Sequence, residues 1–344
     1  MTIVLAQGFN QADRCLHVGL VNNMPDSALA GTERQFLNLL EAAAPDFPVQ
    51  VSFFSLPGIP RGVGGQQHLE NNFYGSLPDL QEASLDSLIV TGTEPRLPAL
   101  EDEPFWGPMT ELFDWVEREG PPTTFSCLAA HAAVLHYDGV PRHRLPQKRF
   151  GMFDHVRVCR HELTDRLGPR VQVAHSRFNE VAGDALAECG YTILTQAPDA
   201  GVDLFIKDRR NICLFFQGHP EYDPETLGRE YQRDVKRYFA GERESYPELP
   251  KDYFGPLEAL SLARFQARAV AERRTVTMED FPLASRRSAP MSGWRSPATD
   301  VFRTWLQRIV ETKFGGCVPF IASHRRKGLP PVEVSRPQRT TMPR

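Results

Sequence analysis

From Leu16 to about Pro220, short apolar runs alternate with amphipathic segments, and this rhythm constrains the fold more than any other feature of the chain. Strands that feed crossover helices give an α/β fold: a mostly parallel sheet with helices on both faces. The first unit is the clearest. Leu16-His17-Val18-Gly19-Leu20-Val21 reads as a buried strand, Asn22 to Gly31 as a turn, and Phe36, Leu37 and Leu40 recur at helical spacing. Further strands are expected at Val49 to Leu56, Ser87 to Val90, Thr123 to Ser126, Tyr191 to Thr195, Asp203 to Lys207 and Ile212 to Phe216. Pro104 to Arg118 reads as a helix with Trp106, Met109, Leu112, Phe113 and Val116 on its apolar side.

After Gly241 the composition shifts toward Arg, Glu, Ser and Pro, with one helix expected from Pro256 to Arg274. Residues 242–298 read as an insertion-like helical excursion within a single domain over 1–322, closed by a helix from Asp300 to Thr312. Residues 323–344 hold too few apolar side chains to pack and are expected to form a disordered tail. The 39 basic and 43 acidic residues leave a net charge of −4, so nothing advertises nucleic acid or an anionic membrane as a partner. No run approaches the ~20 apolar residues of a membrane span, and Met1 to Gly8 lacks the marks of a signal peptide, so a cytoplasmic location is expected. The six cysteines lack any Cys-x-x-Cys spacing, which points to free thiols and no metal site.

Cys127 stands where the strand Thr123 to Ser126 meets the alanine-rich stretch Leu128 to Leu135. The free N–H groups at a helix start stabilise a thiolate and can hold an oxyanion, so this cysteine is the candidate nucleophile. A cysteine nucleophile needs a base, and an imidazole fixed by a carboxylate suits it. His219 and Glu221 offer that pair just beyond the strand Ile212 to Phe216, and parallel strands ending at one edge would bring them to Cys127. His131, one helical turn past Cys127, is a rival base. His175 and His68 are weaker candidates. Asp223 and Pro224 are placed to start the following helix, with Leu227, Tyr231 and Val235 on its core face.

An ordered series of tracts supports a more specific reading: Asn22-Asn23-Met24-Pro25, Thr32-Glu33-Arg34-Gln35, His68 to Tyr74, Cys127, Lys148 with Phe150-Gly151, His175-Ser176-Arg177, Gly218 to Asp223, Arg233-Asp234 and Trp294-Arg295-Ser296. Over about residues 15 to 310 the chain resembles the MetA-type homoserine O-acyltransferases. That resemblance implies a class I glutamine amidotransferase-like fold, a homodimer, and ping-pong acyl transfer from an acyl-coenzyme A to L-homoserine in methionine synthesis. It makes Cys127 the nucleophile, His219 the base and Glu221 the partner of that base. Arg233 falls where the family binds the amino-acid carboxylate, and Lys148 and Ser176 at the remaining substrate-contacting positions. No cofactor is implied beyond the acyl-coenzyme A co-substrate.

The chain departs from the family pattern at Asp26-Ser27, where lysines are usual, at His131, where glutamine is usual, and in the length of 242–289. In Thr91-Gly92-Thr93-Glu94-Pro95-Arg96, Arg96 aligns, with no gap, with the position at which the family discriminates acyl donors, and Glu94 two residues earlier is the alternative occupant of that position. A guanidinium can pair with the distal carboxylate of a succinyl group and finds nothing to pair with on acetyl, which favours succinyl-CoA. Acetyl transfer, a glutamine amidotransferase-like hydrolase and a non-catalytic scaffold protein stay open as alternatives at this level, as does a serine acceptor. Against the amidotransferase stands the absence of Gly-x-Cys-x-Gly around Cys127.

Overall fold

The computed structural model describes residues 2–5, 15–45, 47–273, 275–282 and 295–315. Eight strands form the main sheet: β1 (Thr2–Leu5), β2 (Leu16–Val21), β3 (Val49–Phe54), β4 (Ser87–Val90), β5 (Thr123–Ser126), β8 (Thr192–Ile193), β11 (Leu204–Asp208) and β12 (Ile212–Phe216), in the order β1-β3-β2-β4-β5-β12-β11-β8. The five strands β3, β2, β4, β5 and β12 are mutually parallel; β1 and β11 run antiparallel to them, and the edge strand β8 runs antiparallel to β11.

Both faces of the sheet are buried beneath helices, and β12, Ile212-Cys213-Leu214-Phe215-Phe216, accordingly reads as a continuous apolar run. Phe36 and Leu40 of α1 (Asp26–Ala43) and Trp305 and Leu306 of α9 (Arg295–Phe314) cover one face, against Val18, Val51 and Leu214. Leu112 and Phe113 of α4 (Trp106–Arg118) and Ala129 and Ala133 of α5 (Leu128–Asp138) cover the other, against Val90, Phe125 and Phe215. Three short helices, α2 (Val63–Asn71), α3 (Leu77–Glu82) and α6 (Gly183–Glu188), fill the connections. Among the described residues, no helix is long and apolar enough to cross a membrane.

A second, antiparallel sheet went unforeseen. It consists of β6 (Arg142–Arg157), β7 (Arg170–Val181), β9 (Thr195–Ala197) and β10 (Gly201–Val202), in the order β10-β9-β6-β7. Charged residues, Pro146 and a register shift between Arg144 and Arg149 hide the alternation of β6. The expected strand Tyr191 to Thr195 is divided between the two sheets, because the buried Leu194 gives its N–H to Leu204 O at 2.9 Å and the chain changes sheet there.

The helix after His219 is α7 (Thr226–Phe239), which starts later than Asp223 and Pro224 suggested. Asp223 contributes its backbone carbonyl, which accepts from Thr226 N–H at 2.9 Å, and its carboxylate lies 3.8 Å from Arg34. Away from the sheet, α8 (Pro256–Ala271) packs Leu262, Phe265 and Ala269 against Tyr231 and Val235 of α7, as a third apolar cluster. The closing helix is longer than Asp300 to Thr312. Trp294 and the tail 323–344 lie outside the described residues.

Candidate active site

Two parallel neighbours deliver the nucleophile and the base. Ser126 of β5 pairs with Phe216 of β12, so Cys127 and Gln217-Gly218-His219 leave the sheet at one carboxyl edge. Cys127 N–H donates to Phe216 O at 2.8 Å, which ties the two strand ends together. Cys127 has φ 53° and ψ −115° at the start of α5. That left-handed backbone costs a residue with a side chain roughly 1–3 kcal/mol, and it thrusts Sγ out of the strand-to-helix turn.

The Cys127 thiol is a near enough neighbour of the His219 imidazole to raise its pKa, and His219 Nδ1 lies 2.9 Å from Glu221 Oε1. His219 and Glu221 are buried, and Cys127 is half-buried. Burial disfavours the imidazolium, but Glu221 and the thiol beside it prevail and hold His219 well above the ordinary histidine range. The base loop is pinned from behind. His219 N–H donates to Ala174 O of β7 at 3.0 Å, and Gly218 N–H donates to the buried Asp203 Oδ1 at 2.7 Å. A Cβ at Gly218 would lie 2.6 Å from Val173 Cγ1 and 2.9 Å from Ala174 O, so the loop packs this closely only as glycine.

His131 is not brought to the thiol as a base. Its Nε2 lies 3.0 Å from Gln217 Oε1, and the orientation of that amide follows from its other contacts, since Oε1 accepts from Val181 N–H while Nε2 donates to the carbonyls of Val181 and Val202. His131 therefore donates from Nε2 and is neutral, with its pKa pushed down to about 3 by burial and by Arg177. His68 is engaged by Glu33, 2.5 Å away.

Beside the dyad, Glu230 of α7 gathers the predicted substrate-side residues. Ser176 Oγ donates to its Oε2 at 2.5 Å and Tyr222 OH to its Oε1 at 2.6 Å. Lys148 Nζ lies 3.7 Å from the same carboxylate and 3.5 Å from Asp234 Oδ2. Burial opposes ionisation of Glu230, yet Lys148, Arg233 and the two hydroxyls outweigh it and hold its carboxyl below the usual range. Arg233 reaches Asp234 Oδ1 at 3.2 Å and keeps 42% of its side chain exposed, so its guanidinium remains accessible. On one side lies a thiol with its base; on the other, a buried carboxylate beside an accessible guanidinium. Such a pair of charges complements a zwitterionic amino acid.

The family model for homoserine O-succinyltransferase matches residues 1–314. The chain belongs to the homoserine O-succinyltransferase family. The homoserine O-succinyltransferase of Rhodopseudomonas palustris is 45% identical over 295 residues, which cover 86% of this chain and 88% of that protein. That of Methylorubrum extorquens is 44% identical over 293 residues, 85% of this chain and 87% of that one. A solved glutamine amidotransferase from Thermotoga maritima matches with a TM-score of 0.50 at 11% identity, over 86% of this chain and 98% of that one. That likeness bears on the fold alone, which is the class I glutamine amidotransferase-like α/β fold.

Three features of this homoserine O-succinyltransferase family member were not foreseen. Glu230 and Asp234 share a helical stripe with Arg233 and Arg237, at i, i+3, i+4 and i+7, a pattern present in the sequence but read only for its apolar side. Tyr222 stood in a quoted tract without a role. Arg243, from the insertion-like segment, sits 3.2 Å from Asp234 Oδ2, and no local signal marks it. As for Arg96, its backbone N–H donates to Glu103 Oε1 at 2.5 Å, while its exposed guanidinium makes no ion pair among the described residues. The loop reaches α7 through Glu94 instead, 4.0 Å from Arg237.

Proposed function

We propose that this chain transfers a succinyl group from succinyl-CoA to the hydroxyl of L-homoserine, a step of methionine biosynthesis, through a covalent acyl-Cys127 intermediate. The observation that carries the reading is the line Cys127–His219–Glu221 at a strand edge that opens onto the Glu230 and Arg233 pair. The raised pKa of His219 favours a proton on the imidazole beside Cys127.

Cys127 Sγ attacks the thioester carbonyl, the bond to the coenzyme A sulfur breaks, and the departing thiolate takes the proton from His219. His219, now neutral and oriented by Glu221, removes the proton of the homoserine γ-hydroxyl as its oxygen attacks the acyl-cysteine. The C–Sγ bond breaks, and the thiolate and imidazolium are restored. Leu128 N–H, in the first turn of α5, and the backbone of Gly92-Thr93 are proposed to hold the oxyanion. Gly92 lies against that turn, where a Cβ would come within 2.8 Å of Leu128 N.

Arg233 takes the homoserine carboxylate with its planar fork and Glu230 the ammonium, with Ser176 and Lys148 fixing Glu230. Arg96, at the mouth of the Thr91–Arg96 loop, is proposed to favour the donor's distal carboxylate. The sequence of bond changes calls for no cofactor besides the co-substrate. Initial rates over a grid of both substrates should give parallel double-reciprocal lines, and intersecting lines would overturn the covalent intermediate.

A further inference from the structure

Behind β7, on the side away from Glu230, lies a buried chain of hydrogen bonds that the mechanism above does not use. Arg177 Nε donates to His175 Nδ1 at 3.2 Å. His175 Nε2 faces His155 Nε2 at 3.3 Å, the two rings stacked with centroids 5.0 Å apart. His155 Nδ1 lies 3.2 Å from Phe153 O. The two ends fix every proton between them. A guanidinium Nε–H only donates, so His175 Nδ1 accepts and its Nε2 carries the hydrogen; His155 Nε2 then accepts, and its Nδ1–H goes to a carbonyl that only accepts. Both imidazoles are thus neutral and single tautomers. Arg177 is anchored in turn by Asn179 O at 2.7 Å and Ala200 O at 2.6 Å.

Successive residues of a strand point to opposite faces, so a side chain locked behind β7 fixes its neighbours in front. The neighbours of His175 are Ala174, whose carbonyl receives His219 N–H, and Ser176, whose hydroxyl holds Glu230. β7 is the outer strand of its sheet, so its free edge is available for the first of these contacts.

We propose that His175, held between Arg177 and His155, is a positioning residue for the acyl transfer, setting through one strand segment both the base His219 and the acceptor-side Glu230. The proposal rests on the roles given to those two residues above. Neutral rings also keep a second cation away from the His219 imidazolium.

The test substitutes His155, to which the proposed mechanism gives no role. His155→Leu removes the acceptor of His175 Nε2–H, whereas His155→Gln keeps an oxygen to accept from it and an amide to donate to Phe153 O. Alkylation of Cys127 by iodoacetamide at about pH 7, followed by peptide mapping, reads the thiol and its base without any substrate. It therefore stands apart from the assignment of homoserine, which is read separately as the KM for transfer. With its donor left without an acceptor, the His175 ring shifts, so His155→Leu should slow alkylation about tenfold and raise the homoserine KM, and His155→Gln should restore most of both. Slow alkylation with no transfer in any variant, wild type included, would leave the positioning intact and condemn the acceptor assignment. A His155→Leu protein with a lowered melting temperature but wild-type alkylation and KM would overturn the proposal. So would failure of both variants to fold, since the network would then hold the fold rather than the site.

Discussion

Tyr222 lies flat on His219, with ring centroids 4.1 Å apart and planes 14° from parallel. The same phenol donates to Glu230 Oε1, so a single side chain joins the base to the acceptor side. Burial and the carboxylates of Glu230 and Glu221 push its ionisation far up, which keeps it a donor at every working pH. Tyr222→Phe keeps the stack and deletes the bond. The homoserine KM should rise about tenfold, the cost of one hydrogen bond to a charged group, while acylation by the donor stays near wild type. An equal loss in both half-reactions would contradict this division.

Arg233 gives a sharper test of the acceptor side. Truncation to Ala removes a two-pronged contact to a carboxylate, and the homoserine kcat/KM should fall on the order of a hundredfold, about 3 kcal/mol. Arg233→Lys keeps the charge without the fork and should recover only part of it. If a homoserine analogue lacking the carboxylate lost as much on the same substitution, Arg233 would not be the carboxylate's partner.

Acid should weaken the fold through His131. Its pKa is about 3 in the folded protein, against about 6.5 unfolded. Between those values the unfolded chain binds the extra proton, so stability rises with pH there and is lost as pH falls below about 6.5, by up to about 1.4 kcal/mol per unit. The buried, neutral His175 acts in the same sense. In urea titrations, His131→Gln should cut the drop in stability between about pH 7 and about pH 5 by about 2 kcal/mol. An unchanged drop would mean that His131 is not buried neutral.

Gly218→Ala forces a methyl group into Val173, Asp203 and the Ala174 carbonyl at once. Relief requires the base loop to move off β7. We expect a destabilisation of about 1–3 kcal/mol and a more than tenfold loss of turnover in the folded protein. Gly139→Ala, where φ is 66° but nothing lies within 4 Å of the added carbon, controls for backbone strain and should leave turnover unchanged.

The parallel core and the dyad were legible because their signals are local. Apolar runs in β2, β4, β5 and β12 mark strands, and a cysteine and a His-Pro-Glu at strand ends acquire meaning from the edge they share. The β6–β7 hairpin was not legible. Its polar face, Pro146 and the register shift erase the period of two, and what holds it in place is long-range, such as the Gln217 side chain on Val181 and Ala174 O on His219. Ser176 and Lys148 came from resemblance rather than from spacing for the same reason. Their partner Glu230 lies on α7, 54 residues from Ser176 in sequence. Arg243 shows the limit most plainly, since the turn that ends α7, where Glu242 N–H donates to Arg237 O at 2.9 Å, is what leads the chain back toward Asp234.

The most direct test is the intact mass of the protein after brief mixing with succinyl-CoA, beside a Cys127→Ala control and a parallel sample with acetyl-CoA. The account predicts a succinyl adduct on the wild type that is absent from Cys127→Ala and is discharged when homoserine is added. A stable succinyl adduct on Cys127→Ala, or succinyl transfer to homoserine at undiminished rate by that variant, would contradict it.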